Sequence, residues 1–191
     1  MAQTKNKLTN ILKKHKDGAI IMMELPEETY LQSNIASIKL LIRTGFEGIY
    51  ISLNRPFKNI ISFLKKNSVN IDKLLFIDLA SVMYGEALEN DPRCIYVPKS
   101  MNVDALVRAI YTSLSRLKSK KKFVFIDSLT TITLYIPLSE TMRLSDFLMR
   151  TVRQHDIENV SLIFNVARDL RQKKFIKDIA MQVDEVISVP K

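Results

Sequence analysis

KKFVFIDSLTTI, residues 121–132, carries the reading of the fold. After two lysines, Phe123, Val124, Phe125 and Ile126 follow one another without polar alternation, and the run stops at a carboxylate, Asp127. Unbroken apolar runs of this length, bounded by polar residues, read as strands buried on both faces. Working outward, runs of the same kind recur in GAIIMMEL (18–25), GIYISL (48–53), KLLFIDL (73–79), VSLIFNV (160–166) and EVISVP (185–190).

The intervening segments have a different period. Residues 28–44 place Ile35, Ile38, Leu41 and Ile42 three and four apart and stop at Gly45, as a helix with a glycine after its C-terminus does. Pro56 opens a second such segment, through about residue 67, with Ile60, Ile61, Phe63 and Leu64. Residues 102–118 and 139–155 repeat the spacing, the latter through Leu144, Phe147, Leu148 and Val152. Residues 80–101, with Gly85, Pro92 and Pro98, read as a loop holding a helical turn around 83–89 and a short IYV strand. A basic, partly helical segment separates the last two strands. Apolar strands alternating with helix-sized segments predict a three-layer α/β/α domain with a mainly parallel central sheet covered by helices on both faces.

A length of 191 residues, 47% apolar and 26% charged, fits one folded domain spanning residues 1–191. Residues 1–16 form an amphipathic N-terminal helix, with Leu8, Ile11 and Leu12 among lysines, expected to pack on the domain. Cys94 is the only cysteine, so no internal disulfide forms; it reads as a small buried hydrophobe. The N-terminus lacks the apolar stretch of a secretory signal, and no run reaches the ~20 apolar residues of a membrane span. A reducing, cytoplasmic location is expected.

Few catalytic constellations can be written. His15 and His155 with one cysteine cannot assemble a usual His/Cys zinc site, and His155 and Asp156, adjacent on a helix end, face different directions. There is no GxSxG elbow. Four glycines in 191 residues, where roughly 7% is usual, argue against any function built on a glycine-rich loop.

The string FVFIDSLTTI (123–132) resembles the Walker B strand of the KaiC-like branch of RecA-type ATPases. GAIIMMEL resembles the strand before that family's phosphate loop, RTGFEGIYISL (43–53) its second strand, and IAMQVDEVISVP (179–190) a late core strand, in the family's order. The resemblance spans about residues 17–190 and implies a RecA-like fold.

The departures from the pattern carry the functional reading. A phosphate loop of the form GxxxxGK[ST] wraps backbone amides around phosphate, sends its lysine to the outer phosphates and gives its hydroxyl to magnesium. Counting back from YISL, that loop corresponds to ELPEETYL (24–31): Glu24 and Thr29 stand at the glycine positions, Tyr30 at the lysine and Leu31 at the hydroxyl. Glu24, Glu27 and Glu28 put three carboxylates where polyphosphate would sit, a repulsion of about 1 kcal/mol per pair even in water. Asn54 and Arg55 stand where the family carries its catalytic glutamate, and neither is a carboxylate base. Asp127 and Ser128 then remain as remnants of the Walker B site.

The expectation is therefore a catalytically inactive pseudo-ATPase, with no catalytic, cofactor or metal residues, that acts as a regulatory or scaffold subunit through a protein partner or its own copies. A net charge of +9 also suits nucleic acid. Residues 168–177 concentrate Arg168, Arg171, Lys173, Lys174 and Lys177 against Asp169, with Phe175 available to stack on a base. This supports an alternative, a nucleic-acid accessory protein like a recombination mediator or an RNA-binding ring subunit. A third reading keeps ATP in an altered pocket.

Overall fold

A computed structural model describes residues 2–86, 88–98, 102–154 and 159–190. In chain order these form α1 (Ala2–Lys14), β1 (Ile20–Leu25), α2 (Tyr30–Arg43), β2 (Glu47–Ser52), α3 (Phe57–Lys66), β3 (Leu74–Asp78), α4 (Ala80–Tyr84) and β4 (Cys94–Tyr96). They continue with α5 (Val103–Arg116), β5 (Lys122–Asp127), α6 (Leu129–Ile132), α7 (Leu138–Arg153), β6 (Val160–Ala167), α8 (Lys174–Ala180) and β7 (Glu185–Ser188). The strands make one seven-stranded sheet in the order β4-β3-β2-β5-β6-β1-β7, and every pairing is parallel.

Strand alternation splits the core in two. Ile49 and Ile51, Val124 and Ile126, and Leu162 and Phe164 face α5, α7 and α8, meeting Leu106, Ile110, Leu148 and Ile176. Tyr50, Phe123, Phe125 and Ile163 face α1, α2 and α3, meeting Leu8, Ile38 and Ile60. The handedness of parallel crossovers accounts for this: connections running one way along the sheet lie on one face, and those running back lie on the other. Buried Leu8 and Ile11 hold the amphipathic α1 on the second of these faces.

Gly48 lies beside Phe123 across the β2–β5 pairing, and a Cβ there would come 2.3 Å from its ring. The missing side chain lets the buried ring lie over the strand. Gly48→Ala is expected to cost about 1–3 kcal/mol by overpacking, read as a lower denaturant midpoint at unchanged slope. An unchanged midpoint would mean that Phe123 has room to shift.

Two local expectations change. The helical turn placed around 83–89 starts earlier, at Ala80, because the Asp78 carboxylate receives the Ser81 amide at 3.0 Å and turns the chain directly after the strand. Gly85, in the left-handed region at φ 68°, ends it. The sequence reading also missed α6, which begins where the Ser128 hydroxyl accepts from the Thr131 amide. Among the described residues, no helix is long and apolar enough to cross a membrane.

Candidate functional site

The chain leaves β2 toward β3 in one direction along the sheet and leaves β5 toward β6 in the other. Such divergence opens a crevice at the carboxyl ends of the strands, where ligands of open α/β sheets bind. A cavity of about 750 Å³ lies there. The segments after β1, β2, β5 and β6 wall it with Glu27 and Tyr30, Asn54 and Arg55, Asp127, Ser128, Thr130 and Thr131, and Arg168 to Leu170.

Asp127 ends β5 at the base of this cavity and is 1% exposed. Register brings its first partner: Tyr50 pairs with Phe125, so its side chain lies diagonally across from Asp127 on the same face. The Tyr50 ring is stacked on Phe125 at 5.5 Å and tilted against Phe76 at 6.1 Å, and its hydroxyl donates to Asp127 Oδ2. The second partner comes from the opposite direction. Pro26 holds extended backbone, a short 3-10 turn of Glu27–Thr29 follows, and Tyr30 opens α2 with its hydroxyl 2.5 Å from Asp127 Oδ1. Both carboxylate oxygens are engaged by phenols.

One turn along α2, buried Asn34 accepts from Asn165 at 3.0 Å, extending the polar island. Burial raises the pKa of Asp127 above the usual carboxylate value, opposed by the hydrogen bonds of Tyr30, Tyr50 and Asn34 and the charge of Arg55. Burial, and then the neighbouring carboxylate, hold both phenols well above their ordinary value. Ser128, joined to Asp127 by a cis peptide, bonds Thr130 and Thr131, and Thr131 donates to Asn54.

This arrangement does not fit magnesium nucleotide. Glu24 to Leu31 form a strand end, a 3-10 turn and the start of a helix, without a glycine or lysine to wrap phosphate. The Tyr30 hydroxyl donates a hydrogen bond to the Asp127 carboxylate. Leu31 supplies no hydroxyl.

The three clustered carboxylates separate in space. Glu24 lies on β1, accepts from Ser188 at 2.5 Å and sits 3.7 Å from Arg171. Glu28 is exposed, and Glu27 is the one that lines the cavity. Thr29 is half-buried beside them. The repulsion expected from three acids thus comes down to one.

The basic segment is also divided. Arg168 lines the cavity and donates to the Val189 carbonyl at 3.3 Å, and Arg171 faces Glu24. Lys173, Lys174 and Lys177 are exposed at the start and along one side of α8. Ile176 is buried, and Phe175 packs partly into the core. Cys94 is half-buried on edge strand β4, with its thiol pushed up to about 12, chiefly by burial. His155 and Asp156 lie outside the described residues.

Sequence reasoning missed Tyr50, Asn34 and Asn165, each read as part of an apolar or helical pattern. The one available signal was the two-residue offset between Tyr50 and Asp127 once their strands are paired.

The same architecture occurs in solved structures. An uncharacterized protein of Pyrococcus horikoshii, solved in complex with an unknown peptide, matches with a TM-score of 0.70 at 12% identity, over 97% of this chain and 82% of that one. A KaiC-like protein of P. horikoshii OT3 matches at 0.57 and 15% identity, over 90% and 71%. The flagellar accessory protein FlaH of Methanocaldococcus jannaschii matches at 0.57 and 13%, over 90% and 71%. At these identities the likeness establishes the fold, which is KaiC/RecA-like. No protein-family model and no curated protein matches the chain.

Proposed function

We propose that this chain is a non-hydrolysing RecA-like domain that works as a regulatory or scaffold subunit, through assembly with protein. One observation carries the reading: Tyr30, at the position of the phosphate-loop lysine, closes Asp127 from one side while Tyr50 closes it from the other. A carboxylate committed to two phenols and buried under them is a structural hub. Asn54 and Arg55, which follow β2 at the cavity wall, are not carboxylate bases.

Protein assembly is favoured over nucleic-acid binding by the surface. Arg171 is engaged with Glu24, whereas the exposed apolar side chains of Leu134 and Leu170 line the cavity. The peptide bound to the P. horikoshii neighbour is in keeping with a fold of this kind holding a protein segment.

Phosphate release from ATP with magnesium tests the catalytic half of the reading. The expected rate equals that of buffer, and Asp127→Asn leaves it there. Turnover that Asp127→Asn abolishes would contradict the proposal.

A further inference from the structure

The positive charge of the chain gathers at the end of the sheet away from the cavity. In a parallel sheet with helical crossovers, the helices end and the next strands begin at that end. β3, β2 and β5 are neighbours in the strand order, and the segments leading into them are 65–73, 39–47 and 116–122. These three hold ten basic residues against Glu47 and Asp72, a net charge of +8 in a chain of +9. Arg43, Lys65, Lys66, Lys118, Lys120 and Lys121 are exposed, and none has an ion-pair partner among the described residues.

Hydrogen bonds tie the three segments into one surface. Glu47, at the start of β2, accepts from the Lys73 ammonium at 2.7 Å and from the Lys118 and Ser119 amides at 2.7 and 3.0 Å. The Ser119 hydroxyl donates to the Gly45 carbonyl at 2.8 Å, and the Lys39 ammonium to the Asn67 carbonyl at 2.8 Å. Lys121 lies over the Phe46 ring at 5.7 Å. The acid at the centre thus clamps the loops together and leaves the cations around it uncompensated. The other acids in reach are committed elsewhere: Asp72 lies 3.9 Å from Arg93, and Asp91, which feels Lys65, lies 2.6 Å from the same guanidinium.

Helix chemistry accounts for part of this charge. Arg43, Lys65, Lys66 and Arg116 stand in the last turns of α2, α3 and α5, where cations offset the helix dipole. Lys120 and Lys121 lie beyond α5, outside the reach of that effect. Three adjacent strands spread their leading loops over about 10 Å, and a duplex carries about six phosphate charges in that length. None of the nine exposed large apolar side chains among the described residues falls in these segments, so nothing here is offered to unstacked bases or to a bilayer. Exposed Ser68 and Asn70 add polar groups of the kind that contact phosphate oxygens.

We propose that this end of the molecule binds a nucleic-acid duplex through its phosphates, without reading sequence. The surface is distinct from the 168–177 segment, and it leaves the cavity end to protein. The inference goes beyond the assembly reading above and does not depend on it.

Fluorescence anisotropy of a labelled DNA duplex of about 30 base pairs, titrated with the full chain, tests it. The expected result is binding that survives scrambling of the sequence, is weaker for the single strand, and falls about 500-fold between about 50 and 200 mM salt, as for about five neutralised phosphates. A duplex RNA of the same length is titrated in parallel; tighter binding of either duplex supports the proposal and identifies the source. Lys118→Ala with Lys120→Ala and Lys121→Ala lowers the salt slope by about three and weakens binding about 50-fold at the lower salt. Lys65→Ala with Lys66→Ala, on a separate element, lowers the slope by about two. Lys173→Ala with Lys174→Ala and Lys177→Ala removes the same charge from α8 and leaves the affinity within about twofold.

No duplex binding at the lower salt, equal affinity for the single strand, or a loss that follows the α8 variant instead of the loop variants would overturn the proposal. Binding to phosphatidylserine vesicles or to an acidic protein, with none to either duplex, would overturn it too. If duplex binding fails while ATP turnover stays at the buffer rate, the non-hydrolysing reading stands without this surface.

Discussion

Tyr30→Phe combined with Tyr50→Phe is expected to lower the stability of this protein by about 3–5 kcal/mol at neutral pH, since hydrogen bonds to a buried charged group contribute about 1.5–3 kcal/mol each. The volume change is small and the rings remain, that of residue 50 still stacked on Phe125 and tilted against Phe76. What is lost is the pair of donors on a carboxylate that is 1% exposed.

The pH dependence gives the effect its signature. Burial already sets the folded-state pKa of Asp127 above its unfolded value, so the folded protein binds this proton more tightly than the unfolded chain. Its contribution is then most favourable at acid pH and is lost as pH rises through the folded pKa. Removing two donors raises that pKa further. The variant's deficit is therefore largest at neutral pH and shrinks toward acid pH, which urea unfolding at pH 7 and pH 5 measures. Adding Asp127→Asn to the double variant should recover part of the loss at pH 7, because the charge is gone. A deficit independent of pH and untouched by Asp127→Asn would mean that the two phenols act through packing alone.

The second large effect lies two strands away. Asp78, at the end of β3, is fully buried and accepts from the Phe57 amide at 2.7 Å, the Ser81 amide at 3.0 Å and the Ser81 hydroxyl at 2.5 Å. One carboxylate thus fixes the first residue of α3 and the first turn of α4. Asp78→Ala leaves two buried amides without an acceptor and is expected to cost about 3–5 kcal/mol, at about 1–3 kcal/mol for each unsatisfied group. Asp78→Asn retains one carbonyl acceptor and should cost less than half as much. Equal losses in the two variants would assign the effect to shape instead.

The contrast between these carboxylates shows what could be read from the residues in advance. Both end an apolar run, FVFID and LLFID, and both strands were legible because parallel strands buried on two faces must be apolar throughout. The strand alternation and its three layers followed from the same pattern. The partners of the two acids were not legible, because they come from elements distant in sequence: Tyr30 lies 97 residues from Asp127, and Phe57 lies 21 from Asp78. A tyrosine inside an apolar strand looks like any other core residue until the register shows which side chain lies diagonally opposite.

The acidic run at 24–28 shows the reverse difficulty. As sequence, three acids within five residues read as one repelling cluster. In the fold, the strand alternates and then gives way to a 3-10 turn, so Glu24 leaves toward Ser188 and Arg171 while Glu27 faces the cavity. On the proposed reading it is the hydroxyl of Tyr30, more than charge, that opposes nucleotide, and the position of that group depends on where α2 begins.

Calorimetric titration of magnesium ATP into the wild-type chain tests the closed Asp127 most directly. With both carboxylate oxygens held by phenols and no loop to wrap phosphate, the account predicts no binding heat up to millimolar nucleotide. Micromolar binding that Asp127→Asn weakens would contradict it, since the carboxylate would then be free to serve a metal ion.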